Sequence, residues 1–453
     1  MLPERFLSRM ERMLGAEYPR FLAEISAEKS VRALRANTLK TTADTVKAHV
    51  PFGLSPLPYA ENGFIFDFER PGNLAAHHAG MIYVQDPSAM ATVAALPIAE
   101  DATVLDLCAA PGGKTSQIAA RIPNGVILAN EYNPSRCKAL VGNLERLGVR
   151  NAVVTNMDGN RLARMYENVF DLVLLDAPCS GEGMLRKYAV AAEEWSEENV
   201  TTCAARQAEL LDSAAGAVKA GGHLLYSTCT FSCEENEENI AAFLARHPEF
   251  SLVPVADALV CHTASGIPVA GSAVDLRLAR RFYPHIAPGE GQFIALLQKS
   301  PHADGRMRFG YTGAAETKKD AEVRRVTEAF FCENFDELDL SALRVIAGKP
   351  ILFPSRFPIP KEKVFMAGVL CGEVKNGRLL PHHQLFSAYG GYMKRRLVLG
   401  DDDIYRYLRG EELPTDLAVG WAAVFYADAP VGGVKVSGGM AKNHYPKGLR
   451  LHG

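Results

Sequence analysis

Two cysteines among nine stand where a thiol can do covalent chemistry. Cys179 lies in Asp176-Ala177-Pro178-Cys179-Ser180-Gly181, and Cys229 in Tyr226-Ser227-Thr228-Cys229-Thr230. Each follows a short apolar run, residues 171–176 and 222–227, of the kind that forms a strand covered on both faces. In an open α/β sheet, ligands bind beyond the carboxyl ends of the strands. If the two strands are neighbours, both sulfurs face one crevice. Paired thiols there suit covalent attack on an electrophilic ring.

Other chemistries fit less well. For a cysteine–histidine hydrolase, His223 is the histidine on the same strand, but it lies six residues upstream of Cys229. At roughly 3.3 Å per residue that is too far for activation. Cys229-x-x-x-Cys233 has no second pair at zinc-site spacing, so no metal is expected. Cys137, Cys203, Cys261, Cys332 and Cys371 read as small buried hydrophobes. After Cys229, Ser232 and Glu235 form a Ser-x-x-Glu pattern that predicts a capping box. The acidic run from Glu234 to Glu238 then complements a helix dipole and solvates a face. A helix start favours thiolate, while the carboxylates oppose it.

A third motif, Asp106-Leu107-Cys108-Ala109-Ala110-Pro111-Gly112-Gly113-Lys114-Thr115, follows a strand and opens a helix. Its small residues allow close backbone approach to a ligand. Neither the phosphate-loop spacing nor Gly-x-Gly-x-x-Gly is present. Glu131 ends the next strand, where a carboxylate can accept from ribose hydroxyls. Asp158 follows the strand after that. Taken singly, each acid is more often a cap or turn residue; their joint placement after successive strands brings the ligand-binding reading level with that one.

The elements that position these residues alternate strand and helix from about 94 to 300. Short apolar runs at 104–107, 126–130, 152–156, 171–176 and 222–227 predict a mostly parallel sheet, closed by an antiparallel strand at 293–297. Residues 1–93 read as a small α/β leader. In it, Phe6, Met10, Met13, Leu14, Tyr18, Phe21 and Leu22 fall at helical spacing, residues 31–37 alternate as a half-buried strand, and Asp86 caps a helix with Pro87 at its first position. Residues 301–320 read as a linker, and 321–453 as a strand-rich second unit. Lys394, Arg395 and Arg396 form one basic cluster there. Lys435, Lys442, Lys447 and Arg450 form another, in a stretch without acids.

The chain's 453 residues, 48% hydrophobic and 22% charged, support a sizeable core. A net charge of −3 argues against a uniformly basic nucleic-acid coat but leaves room for local patches. An odd, scattered cysteine set suits reduced thiols and a cytoplasmic setting. No run of 18 apolar residues predicts a membrane span, and no obligate protein partner is evident.

On Asp106–Thr115, Asp176–Gly183 and Ser227–Thr230 the sequence resembles the RNA (cytosine-5)-methyltransferases of the NOL1/NOP2/Sun type, and the RsmF (YebU-like) 16S rRNA group among them. The resemblance covers nearly the whole chain. Gly420-Trp421, Gly432-Gly433-Val434-Lys435 and Lys442–Arg450 resemble that group's PUA-like RNA-binding tail. It implies a Rossmann-like methyltransferase core, an N-terminal RNA-recognition domain and S-adenosyl-L-methionine as methyl donor. Cys108, Ala109, Ala110, Pro111, Gly112, Gly113 and Lys114 would line the methionine and ribose region, with Glu131 at the ribose and Asp158 at the adenine. Cys229 would be the nucleophile and Cys179 the product-release thiol. Asp176, protonated or hydrogen-bonded, would contact the target base and stabilise charge at N3. The RNA would be 16S rRNA or the small ribosomal subunit, with Arg32, Arg35 and Lys40 of the leader and the basic tail supplying phosphate contacts. A tRNA cytosine or a non-catalytic ribosome-assembly role are the alternatives.

Overall fold

The computed structural model describes residues 2–27, 30–187, 189–303, 305–309 and 317–451. The apolar spacing at the N-terminus forms two helices, α1 (Glu4–Leu14) and α2 (Tyr18–Ile25), which bury Phe6, Met10, Phe21 and Ile25. A four-stranded sheet follows, of β1 (Arg32–Ala36), β2 (Ser55–Pro56), β3 (Gly63–Phe66) and β4 (Ile82–Val84), in the order β2-β3-β1-β4. β1 does not alternate as expected. Four of its five residues are buried, because helices of both neighbouring units cover its outer face.

Asp86 caps α3 (Pro87–Ala94), accepting from the backbone N–H groups of Ser88 and Ala89. This helix runs across the expected domain boundary at 93. The central sheet then begins. β5 (Thr103–Asp106), β6 (Val126–Asn130), β7 (Ala152–Thr155), β8 (Phe170–Asp176) and β9 (Val218–Thr228) are mutually parallel, and β10 (Gln292–Lys299) returns antiparallel against β9. The spatial order is β10-β9-β8-β5-β6-β7. Strand order therefore reverses at β5, and the crevice beyond β5 and β8 is the topological switch point where such sheets bind ligands. The strands read as continuous apolar runs because both faces are covered: Ile127, Val154 and Leu172 pack into one core, and Leu128, Val153 and Val173 into the other.

The C-terminal part is not separate from this sheet. β11 (Val364–Ala367) pairs antiparallel with β7 and extends it. The expected linker is structured at its edges. Arg308–Phe309 pairs with Tyr166–Glu167, and a helix starts at Lys318, where Thr317 and Asp320 form a capping box. Positions 304 and 310–316 lie outside the described residues. The last unit is a five-stranded sheet centred on β12 (Gly420–Tyr426) and β13 (Ala429–Ser437). No helix among the described residues is long and apolar enough to cross a membrane.

Candidate active site

β8 and β9 lie side by side with Asp176 opposite Ser227, so the chain leaves both strands at the same level. Backbone bonds continue the pairing into the loops: Ala177 N–H donates to Ser227 O, and Gly183 N–H to Cys229 O, each at 2.8 Å. Gly183 makes this approach feasible. A Cβ there would stand 2.9 Å from Cys229 O and 3.0 Å from Glu290 O. The result is that Cys179 Sγ and Cys229 Sγ are 3.3 Å apart, both half-buried. One thiol can donate to the other sulfur. The contact with Cys229 and burial together push the Cys179 thiol well up, so this group keeps its proton.

Asp176, at the end of β8, faces the same hollow. Its Oδ2 accepts from Lys114 Nζ at 2.7 Å, and its Oδ1 from Ser227 Oγ at 2.6 Å and Gln292 Nε2 at 3.2 Å. The hydrogen-bonded form of the expectation is the one the geometry carries. Ser227 and Gln292 were not singled out by sequence. A polar pair of residues at a strand end leaves no periodic signal, and Gln292 comes from a strand more than a hundred residues downstream.

The turn after β5 is held from behind by one helix (Pro134–Arg146): Arg136 donates to Ala110 O at 2.8 Å and Asn143 to Pro111 O at 2.9 Å. Gly112 sits at φ +104, and a Cβ there would meet Leu140 Cδ1 at 2.9 Å. A larger residue is thus disfavoured by the backbone conformation, and Leu140 would have to shift to admit it. Ala109 and Ala110 are buried, and burial pushes the half-buried Cys108 thiol upward. Glu131 is buried at the end of β6. One carboxylate oxygen accepts from Asn133 N–H at 2.8 Å, and the other is 3.6 Å from Arg136 Nη1. Asp158 is exposed and caps the helix Gly159–Arg164, accepting from Arg161 N–H at 2.9 Å. Asp106 is buried with Oδ1 unpartnered, and burial pushes it up to about 7. An unmet acceptor, a crowded glycine turn and a strand-end carboxylate together fit S-adenosylmethionine: small residues for the methionine portion and an acceptor for the ribose diol.

Four expectations need correction. Ser232 and Glu235 form no capping box. The helix begins at Glu237 with Asn236 at its cap position, Ser232 Oγ donates to Glu182, and Glu235 bonds Ser180 and Gln207. The helix after Cys229 therefore starts eight residues beyond it, at Glu237. The acidic run solvates a face only in part: Glu238 is exposed and Glu234 half-buried. Glu235 and Glu237 are fully buried, the latter paired with the buried Arg281. Cys137, Cys203 and Cys371 are buried as expected, but Cys261 and Cys332 are exposed. In the leader, Arg35 is buried and donates to Ser116 Oγ, while Lys40 Nζ donates to Ala79 O, Ser387 Oγ and Pro430 O. Of the three leader cations, only Arg32 remains exposed. Among the described residues no cluster of three His, Cys, Asp or Glu could hold a metal ion.

Three family models match in turn: the N-terminal domain of 16S rRNA methyltransferase RsmF at residues 2–87, 16S rRNA methyltransferase RsmB/F at 93–298, and the methyltransferase RsmF PUA domain at 394–451. Ribosomal RNA small subunit methyltransferase F of Klebsiella pneumoniae (strain 342) is 34% identical over 479 residues, covering 99% of this chain and 96% of that protein. The protein of the same name from Vibrio vulnificus (strain YJ016) is 33% identical, covering 99% and 97%. Among solved structures, a methyltransferase homolog protein from Pyrococcus horikoshii is 29% identical with a TM-score of 0.55, over 63% of this chain and 91% of that one. NSun6 from the same organism, with SFG, shares the fold at 23% identity and a TM-score of 0.55, over 66% and 98%. End to end, in sequence and in domain order, the chain belongs to the ribosomal RNA small subunit methyltransferase F family.

Proposed function

We propose that the chain transfers a methyl group from S-adenosylmethionine to C5 of a cytosine in 16S rRNA, through a covalent bond between Cys229 and C6 of the base. The observation that carries this reading is the 3.3 Å contact between the two sulfurs, beside Asp176 at the ends of adjacent strands. Cytosine C5 is a poor nucleophile. Addition of the Cys229 thiolate at C6 breaks the ring's conjugation and leaves C5 electron-rich. Splitting one difficult step into two easier ones is what covalent catalysis achieves. The donor supplies an electrophilic methyl group on a sulfonium, and C5 takes it with loss of the thioether product.

Asp176, anchored by Lys114, Ser227 and Gln292, is placed to hydrogen-bond the ring edge where charge develops. Completion requires loss of the C5 proton and cleavage of the C6–S bond: the C5–H electron pair forms the C5–C6 double bond, and the C6–S pair leaves with the Cys229 sulfur as thiolate, which then takes up a proton. Cys179, at contact distance from the leaving sulfur and able to hold a proton, is placed to shuttle it. Residues 108–114 and Glu131 would hold the donor, with Asp158 at the adenine. The target base must be extruded when paired, at a cost of a few kcal/mol.

The names of the relatives favour 16S rRNA over tRNA. The intact set of Cys229, Cys179 and Asp176 favours an enzyme over a passive assembly factor. The test is asymmetric. Cys229→Ala abolishes methyl transfer from labelled donor to 16S rRNA, by roughly a thousand-fold or more, and traps no RNA. Cys179→Ala accumulates a denaturant-resistant protein–RNA band. The reverse pattern exchanges the two roles, and no band in any variant removes the covalent step.

A further inference from the structure

The two thiol loops are irregular, yet their sulfurs meet at contact distance. The cause lies behind them, where the loops exchange buried carboxylates. Glu182, three residues after Cys179, receives four donors. Trp195 Nε1 (3.1 Å) and Ser232 Oγ (2.8 Å) reach Oε1, while Thr230 Oγ (3.0 Å) and Phe231 N–H (2.9 Å) reach Oε2. Three of the four belong to the Cys229 loop. In return Glu235, six residues after Cys229, reaches the Cys179 loop. Its Oε2 accepts from Ser180 N–H at 3.0 Å and Gln207 Nε2 at 2.7 Å, and its Oε1 contacts Ser180 Oγ. Ser180 Oγ and Thr230 Oγ touch at 2.9 Å, which joins the two halves. Neither carboxylate forms an ion pair among the described residues.

Counting protons decides the state of this chain. From Glu235 Oε1 through Ser180 and Thr230 to Glu182 Oε2 there are three oxygen–oxygen contacts, but the two hydroxyls supply only two protons. A third must sit on one of the carboxyl groups, or two lone pairs face each other in a buried site. On Glu182 each oxygen already receives an N–H that cannot reverse. On Glu235 both irreversible N–H donors converge on Oε2, leaving Oε1 opposed only by a hydroxyl that can turn around.

Resting on the covalent reading above, we propose that Glu182 and Glu235 are positioning residues of opposite protonation: Glu235 carries a proton on Oε1 and donates it to Ser180, Glu182 only accepts, and this chain sets the spacing of the two thiols. Burial, which pushes Glu235 upward, acts in the same direction. The titratable groups that face it are Cys179, Cys203, Tyr226 and Glu182, none of them cationic.

The test compares two isosteric changes in the full-length protein. In Glu235→Gln the carboxamide reproduces the neutral acid, with its NH2 donating to Ser180 Oγ and its oxygen accepting from Ser180 N–H and Gln207. Turnover should stay within about three-fold of wild type. In Glu182→Gln one NH2 must face a donor, a buried mismatch expected to lower turnover about ten-fold or more. The affinity for S-adenosylmethionine should be unchanged, and the covalent RNA adduct should resolve more slowly. Infrared spectra of protein carrying carboxyl-labelled glutamate read the proton directly. Burial pushes Glu145 up to about 7, so the reading is a difference between proteins: the protonated-carboxyl intensity at neutral pH should drop in Glu235→Gln relative to wild type and be kept in Glu182→Gln. Should Glu182→Gln fail to fold, the spectra of wild type and Glu235→Gln still decide. Protonated-carboxyl intensity undiminished in Glu235→Gln, or equal damage from both changes, overturns the proposal. Absence of any adduct in Cys179→Ala would instead strike the covalent reading and leave the band result standing.

Discussion

The crevice between β8 and β9 and the C-terminal sheet use polar groups in opposite ways. In the crevice nearly every polar side chain is already engaged. Asp176 has three donors, Glu182 four and Glu235 three groups around it. In the C-terminal sheet the cations project outward. Lys435, Lys442 and Lys447 are exposed, and Lys435 Nζ lies 5.7 Å from the centroid of the half-buried Trp421 ring, which in turn packs on His444 at 4.6 Å; Lys394, also exposed, donates to Cys332 O. Buried polar groups fix geometry because leaving one unpaired costs about 1–3 kcal/mol. Exposed cations fix little and remain available to a polyanion. The leader falls on the crevice side of this divide. Arg35 and Lys40, basic in sequence, are enclosed among carbonyls and hydroxyls at the junction with the other two units.

The contrast can be broken at three strengths. Asp176→Asn replaces an acceptor of three donors with a group half of which is a donor, and it should lower turnover roughly a hundred-fold. The pH–rate profile should change with it. A profile indistinguishable from wild type would remove Asp176 from the chemistry. At the junction, His77 and His383 have buried, unpartnered Nδ1 atoms, and burial pushes both down to about 3, with Arg146 beside one and Lys40 beside the other. Each folded value lies below the usual 6.5, so the unfolded chain binds more protons between those limits. The histidine contribution is then complete above about pH 6.5 and is lost as the pH drops, by up to ~1.4 kcal/mol per pH unit per histidine, while Asp106 and Glu145, pushed up to about 7, act with the opposite sign. Thermal midpoints measured from pH 7.5 to 5 should fall by less, or rise by more, in His383→Gln than in wild type, since His77 and the two carboxyls contribute equally in both proteins. The smallest effect belongs to the tail. Lys442→Ala with Lys447→Ala should weaken RNA binding about ten-fold at most and reduce the salt slope by roughly two, with no loss of stability. Lys40→Met should do the reverse, destabilising the fold without changing the salt slope.

Much of this was legible in the chain itself. Each parallel central strand contains an apolar run and ends in a polar residue, Asp106, Asn130, Thr155, Asp176 or Thr228, and its bounds in the structure differ little from the run; β9 alone extends well upstream, from Gly222 back to Val218. Asp86 and Pro87 marked a helix start that the structure confirms. What failed is instructive. Ser-x-x-Glu is a local pattern, and Ser232 and Glu235 satisfied it while their side chains were claimed by Glu182, Ser180 and Gln207 from distant parts of the chain. Arg35 and Lys40 carry the charge of an RNA contact, but charge does not report enclosure. β11 joined the central sheet across more than two hundred residues, a pairing with no local signature.

Residue types and their order determined the chemistry available here: two strand-end thiols, a strand-end carboxylate and a turn of small residues, since covalent reactivity and strand formation are local properties. Which atoms meet was decided only in three dimensions. The 3.3 Å between sulfurs fifty residues apart, and the buried carboxylates that hold them there, depend on β8 and β9 lying side by side and on loops that donate to one another across the gap. Hydrogen-bond partners of that kind are chosen by packing, which no short stretch of sequence encodes.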